Sequence, residues 1–351
     1  MDTTPPPAPQ YDALLVLSFG GPEKADDVMP FLEAVVRGRG VPKERLEEVA
    51  THYARFGGKS PLNDENRQLV AALRQAFITK GPELKVYFGN RNWHPLLEDT
   101  LRKMRDDGVE RALVFATSAF GSYSGCRQYQ EDLERAREAV GEDAPELSKL
   151  RLFHNHPGFI EAQVARVEQA LERVPEERRA GARLAFTAHS IPLSMDATSP
   201  YRDQLEESCR LVAEELGKRE WQLVFQSRSG PPEVPWLEPD VVDHLDALAL
   251  IGVRDLVVVP IGFLAEHMEV VWDLDVDATQ RAQELGIELY RAGTVGAHPR
   301  FVEMIRELVV ERFEPGSRRP SLGVLGPSPD VCSGDCCAYT RGRPAATGCP
   351  A

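Results

Sequence analysis

The 351-residue chain has no run of about 18 apolar residues, which excludes a membrane-spanning helix. A secretory leader is missing too. The first ten residues, MDTTPPPAPQ, have neither a basic start nor an apolar stretch and read as a short Pro-rich tail expected to be disordered. Basic residues are in short supply: 41 Lys and Arg face 55 Asp and Glu, a formal net charge of −14. A nucleic-acid binder gains its affinity by neutralising phosphates, so that class is disfavoured. Neither G-x-G-x-x-G nor G-x-x-x-x-G-K-S/T occurs, and the two glycines of SFGGPEKADD have the wrong spacing to cradle a dinucleotide. Gly20 and Gly21 are expected instead to let backbone approach something bulky and flat. Without leader or anchor the expected compartment is the cytoplasm, where structural disulfides are rare. Six cysteines then need another use. Cys332, Cys336, Cys337 and Cys349 crowd the last twenty residues, which favours a metal site.

What is present is an alternation. Short continuous apolar runs (ALLVLSFGG, LKVYFGNRN, RALVFATSAF, RLAFTAHS, WQLVFQSRSG, DLVVVPIGF) are separated by amphipathic helical stretches. That rhythm predicts parallel sheets covered on both faces. The fold class is α/β, with two doubly wound, Rossmann-like domains at 11–174 and 175–313. Their connection is the charged VPEERRAGA, and a C-terminal extension follows at 314–351. No strong internal sequence repeat is found, only the shared rhythm. Ligands in such folds sit beyond the carboxyl ends of the strands. SFGGP, GNRNWHP, TSAFGSYSGCRQY, TAHSIP, FQSRSGPP and GFLAEHMEVVWD occupy those ends and are rich in Gly, Ser, aromatics, His and Arg.

Two of these segments carry chemistry. His189, at a strand end, is a natural proton acceptor near neutral pH. Glu269, Asp273 and Asp277 recur every four residues and share one helix face, about 6 Å apart along the axis. A π-wound segment aligns them more closely. Like charges at this spacing cost stability unless a cation or proton compensates. A solvated acidic face is the plain alternative and is preferred for Asp277 alone. Glu269, one turn from an apolar strand, is expected to be partly buried with a raised pKa. Oxygen ligands suit a hard divalent cation and imidazole suits iron.

With these pieces in order, the chain resembles the ferrochelatases, which insert ferrous iron into a porphyrin late in haem synthesis. The resemblance spans about residues 11 to 312 through LSFGGPE, YARFGGKSPLN, GNRNWHP, SAFGSYSGCRQY, TAHSIP, FQSRSGPPEVPWLEPD, PIGFLAEHMEVVWDLD and AGTVGAHPRF. It implies a chelatase-like pair of domains with the porphyrin clamped between them. It also implies His189 and Glu269 as the facing catalytic pair, and Asp273 and Asp277 as an outward metal route. His94 falls at a cleft position. Porphyrin contacts are expected at Phe19, Arg37, Arg39, Tyr53, Ser60, Ser122, Tyr123 and Arg127, the arginines as charge-assisted donors to propionates. One departure stands out: some bacterial members carry a Tyr able to ligate product iron where this chain has Phe19.

The resemblance also gives the cysteines a use. Several members hold a [2Fe–2S] cluster, mostly from a C-terminal extension. Cys332, Cys336 and Cys337 of CSGDCC, with Cys126 of SYSGCRQY, are the implied ligands, and Cys349 is the rival fourth. A Zn²⁺ site or free thiols are the alternatives. The SGCRQY context and the CC pair look most like the high-GC Gram-positive members, which implies coproporphyrin III as substrate with Fe²⁺ and a downstream haem-pathway enzyme as partner. Protoporphyrin IX is the runner-up. A cobalt or nickel chelatase, or a non-catalytic haem or metal binding module, are the further alternatives.

Overall fold

In the computed structural model of the protein, residues 11–38, 40–230, 232–314 and 316–339 are described. The Pro-rich segment 1–10, Arg39 and Cys349 lie outside the described residues. Two four-stranded, all-parallel sheets repeat one topology. The first has the order β2-β1-β3-β4 and is built from β1 (Ala13–Ser18), β2 (Lys85–Asn90), β3 (Arg111–Ala116) and β4 (Glu146–Lys149). The second has the order β6-β5-β7-β8, from β5 (Arg183–His189), β6 (Trp221–Gln226), β7 (Asp255–Val259) and β8 (Glu288–Arg291). Central strands β1 and β7 are buried at every residue, as strands covered on both faces must be. The edge strands β4 (ELSK) and β8 (ELYR) are short and charged, which protects an open edge from further pairing.

Helices cover both faces. In the first half they are α1 (Val28–Val35), α2 (Lys43–Arg55), α3 (Leu62–Lys80), α4 (Leu97–Asp106), α5 (Gln128–Val140) and α6 (Pro157–Leu171). The second half has α7 (Glu176–Arg179), α8 (Leu193–Asp196), α9 (Tyr201–Glu215), α10 (Val241–Leu250), α11 (Met268–Val270), α12 (Thr279–Leu285) and α13 (Pro299–Phe313). Residues 123–127 and 271–278 are wound as π-helix. In α4, Leu97, Thr100, Leu101 and Met104 turn inward, the spacing of one buried helix face. α6 and α13 start alike: His156 and His298 cap the first turn by accepting from Gly158 N and Arg300 N, and Pro follows each His.

The two halves do not bury separate cores. The largest apolar cluster is continuous from Leu14 and Phe115 to Phe186 and Val259. Helices α6 and α13 form the shared layer. Phe301 of α13 packs on Phe115 and Phe153 beneath the first sheet, with ring centroids 6.1 and 5.9 Å apart. α6 meanwhile lies against β7, β8 and α9 of the second half. The two helices cross at Gly158, where an added Cβ would sit 2.8 Å from Met304 Cβ. A chain cut at residue 174 therefore runs through this shared layer.

Residues 320–326 of the extension, which composition alone would leave loose, are tied down. Glu207 accepts from Val324 N at 2.9 Å and Leu325 N at 3.3 Å. Asn155 Nδ2 donates to Leu322 O and Gly326 O, and Arg151 to Pro320 O. Gly323 passes so close to the Glu207 carboxyl that a Cβ would lie 2.6 Å from it.

Candidate active site

Parallel register brings the chemistry together at the carboxyl edge of the second sheet. His189 ends β5 and pairs in register with Gln226, the last residue of β6. A carbonyl oxygen can only accept, so the 2.5 Å contact of His189 Nδ1 with Ser190 O places the ring proton on Nδ1. In the neutral form Nε2 is then a lone-pair acceptor. It faces Glu269 Oε2 at 3.8 Å. Two acceptors at that distance make no direct hydrogen bond, and the gap between them is wide enough for a cation with bonds of about 2 Å to each. Both groups reach solvent, His189 with 34% and Glu269 with 52% of the side chain exposed. The expectation that Glu269 would be the buried acid is therefore corrected.

Burial falls one step further along. Asp273 Oδ2 accepts from Gln226 Nε2 at 3.2 Å and from Ser227 Oγ. Burial, with the Glu269 charge adding to it, pushes its pKa up to about 7 despite those two donors. Gln226 also donates to Glu269 O, joining both acids to the end of β6. The π-wound segment carries Asp273 and Asp277, the latter exposed, as its own sequence neighbourhood suggested.

A second imidazole completes the corner. His267 Nδ1 caps the helix start by accepting from Glu269 N at 3.2 Å and lies 4.0 Å from Glu269 Oε2. Burial holds its pKa below the usual histidine range, so it stays neutral. From the first half, the α1–α2 arm reaches over: Met268 is buried among Val28, Phe31, Leu32, Leu46 and Tyr53. Burial, then the Glu269 charge, raises the Tyr53 phenol pKa, so Tyr53 keeps its O–H proton. His52 stacks on Trp272 of the π-helix with ring centroids 3.7 Å apart and planes 1° from parallel.

The comparisons now bear directly on this corner. Residues 11–313 match the ferrochelatase family profile. The chain belongs to the ferrochelatase family. It is 53% identical to a ferrochelatase of Rhodopirellula baltica, over 97% of this chain and 97% of that one. It is 52% identical to a coproporphyrin III ferrochelatase of Nocardia farcinica (96% and 99% covered). Against a coproporphyrin III ferrochelatase of Streptomyces coelicolor the identity is 51% (97% and 97%). Among solved structures, SirB from Bacillus subtilis with Fe³⁺ shares 13% identity over 86% of this chain and 96% of that one, with a TM-score of 0.52. That likeness establishes the fold, two Rossmann-like α/β halves of chelatase type. Among the described residues no helix is long and apolar enough to cross a membrane.

Within this family member, the expected porphyrin contacts divide. Phe19 is exposed, with Arg91 5.9 Å from its ring, and its ring is 6.3 Å from that of Phe31. Arg37 is exposed at the end of α1. Ser60 and Ser122 are each only 2% exposed. Ser60 Oγ accepts from Leu62 N and Ser122 Oγ from Gly125 N, so both hydroxyls shape turns. Tyr123 and Arg127 point to the extension: the Tyr123 ring lies 5.9 Å from Tyr339, and Arg127 donates to Gly334 O and Cys336 O. His94 is held through its carbonyl, which accepts from Asn63 and Asn90. Gln226, Ser227, His267 and His52 were not singled out from sequence. Only the H-x-E spacing of 267–269 offered a local signal.

The cysteines converge in part. Cys336 and Cys337 sulfurs are 3.7 Å apart. Two sulfurs on one tetrahedral ion, with bonds of about 2.3 Å, take about that separation. Burial, with Cys337 and then Cys332 adding to it, pushes the Cys336 thiol up. Cys126 is buried one residue from Arg127, and its Sγ lies 2.9 Å from Lys149 Nζ. Among the described residues no three His, Cys, Asp or Glu side chains form a ready-made metal-holding group.

Proposed function

We propose that the protein inserts Fe²⁺ into coproporphyrin III in haem synthesis, exchanging the two pyrrole N–H protons for one divalent cation. The substrate follows the names carried by the Nocardia and Streptomyces relatives. The observation that carries the chemistry is the His189 Nε2–Glu269 Oε2 pair at 3.8 Å, two acceptors with room between them. His189 and Glu269 accept the pyrrole protons. Asp273, with its pKa near 7, holds or releases a proton at working pH and so relays charge between the pair and solvent. Asp277 offers the outermost carboxylate to arriving aqua-iron. Phe19 and Tyr53 line the macrocycle side, and Arg37 and Arg39 take propionates as charge-assisted donors. Phe19 has no ligating atom, so product iron gains no axial bond from that side.

In this reading 11–174 and 175–313 are the two lobes, and 314–351 is an extension that bears thiolates. Cys126, Cys332, Cys336 and Cys337 are the residues that would hold a [2Fe–2S] cluster. The 3.7 Å sulfur spacing and the docking of the extension on Arg127 support this. When bound, such a cluster supplies a one-electron redox centre and four metal–thiolate bonds. In this reading the enzyme is cytoplasmic, a compartment in which thiols stay reduced and available as metal ligands.

The deciding experiment compares iron insertion into coproporphyrin III and protoporphyrin IX by the purified protein. Turnover on coproporphyrin III should be the faster. Faster metallation of protoporphyrin IX sinks the substrate assignment and leaves the chemistry standing.

A further inference from the structure

Away from the catalytic corner, α6 and the end of β8 flank an open surface pocket of 270 Å³ lined by Arg166, Gln169, Ala170, Arg173, Arg291 and Gly293. Half of these residues carry a guanidinium and none is acidic, in a chain whose net charge is −14. The three arginines are held differently. Arg291 is neutralised by Glu266 at 2.9 Å and by Asp275. Arg166 is fixed by neutral oxygens, donating to Gln169 Oε1 at 3.2 Å and Val295 O at 3.3 Å. Arg173 donates to Arg291 O, again a neutral acceptor. Arg166 Nε is shut from solvent and has no hydrogen-bond partner.

Pre-positioned guanidiniums whose hydrogen bonds go to neutral oxygens, here with only the Glu65 charge felt at Arg166, are an anion site, since a planar fork already oriented loses little freedom when it takes a bidentate oxyanion. The pocket is smaller than those that take drug-sized ligands. We propose that it binds a small polyanion, an oligophosphate or a tricarboxylate, through Arg166 and Arg173, with the Gln169 amide as a further donor. Neither arginine belongs to the iron-insertion corner.

The test is isothermal titration of the full chain with pyrophosphate and, separately, with citrate at physiological salt. Saturable one-site binding of at least one is expected, and the tighter of the two assigns the ligand class. Arg173→Ala should weaken it about tenfold or more, the worth of a lost charge-assisted pair. Gly293→Asp leaves every guanidinium in place and supplies a tethered carboxylate instead. A Cβ at Gly293 meets only Arg166 Cδ at 3.8 Å, so the fold accommodates it, and circular dichroism checks this. Binding should vanish in Gly293→Asp while iron insertion is unchanged. No saturable binding of either anion, or binding undiminished in Gly293→Asp, overturns the proposal.

Discussion

The third strand of each sheet order leads into the same backbone device, with different contents. β3 runs to a π-turn at Tyr123–Arg127, and β7 to the π-helix at Val271–Ala278. Ser122, which opens the first, and His267, which opens the helical turn Met268–Val270 just before the second, have nearly the same extended backbone, φ −149° in both and ψ 174° and 175°. Each side chain accepts from a backbone N–H just ahead, that of Gly125 or Glu269. In the first half the device buries Cys126 and turns Tyr123 and Arg127 to the extension. In the second it carries Asp273 and Asp277, just beyond the Glu269 that faces His189. A π-turn therefore re-aims side chains without dictating a chemistry. The residues placed on it decide what the corner does.

If catalysis belongs to the second device alone, the largest effect comes from His189→Ala. Iron insertion should fall about 10²–10⁴-fold, the usual worth of a positioned acid–base group, with porphyrin binding largely kept. Activity surviving that change, measured by anaerobic metallation, breaks the comparison and revives a binding-module reading.

Asp273→Asn sharpens it. The rate should drop about tenfold or more, and the limb of the pH–rate profile near pH 7 should disappear. Stability should move the other way. A carboxyl whose folded pKa is raised binds its proton more tightly when folded, so wild-type stability declines as pH climbs from about 4 to about 7. The accumulated penalty above pH 7 is on the order of 2–4 kcal/mol. Denaturant melts at pH 5 and pH 8 should show the variant relatively more stable only at the higher pH.

The first device is tested by colour. Cys126→Ser and Cys336→Ser should each remove the visible absorption expected of a [2Fe–2S] protein. Bands that persist in Cys126→Ser point to another fourth ligand. The smallest effect is expected from Gly125→Ala, whose Cβ would meet Ser118 Oγ at 2.7 Å and Phe120 O at 2.8 Å. It should cost about 1–3 kcal/mol and lower the melting temperature by a few degrees.

Much of this was legible along the chain. Strands such as ALLVLS announce themselves because a strand covered on both faces has no reason to alternate. Helix starts at HPGF and HPRF are written in the same two letters, His then Pro. His189 and the four-residue acid spacing were also visible. The buried acid was misplaced, because Asp273 is enclosed by Gln226 and Ser227 from a neighbouring strand, some 46 residues away. Glu269 has apolar sequence neighbours, yet it points into the open corner. The grip of Glu207 on 323–325 was equally silent, since nothing in α9 marks one Glu among several as a clamp.

Periodicity, punctuation and residue type by themselves determined the two parallel sheets and the helices between them, and marked His189 and the four-residue acid spacing as candidates. These are short-range properties: burial on both faces, capping and side-chain chemistry act within a few residues. Tertiary structure alone decided that α6 and α13 would share one layer, that Asp273 and not Glu269 would be desolvated, and that the carbonyls of Gly334 and Cys336 would dock on Arg127 of the first half. Those outcomes depend on which distant surfaces exclude water from one another, and desolvation is set by everything packed around a group rather than by its neighbours along the chain.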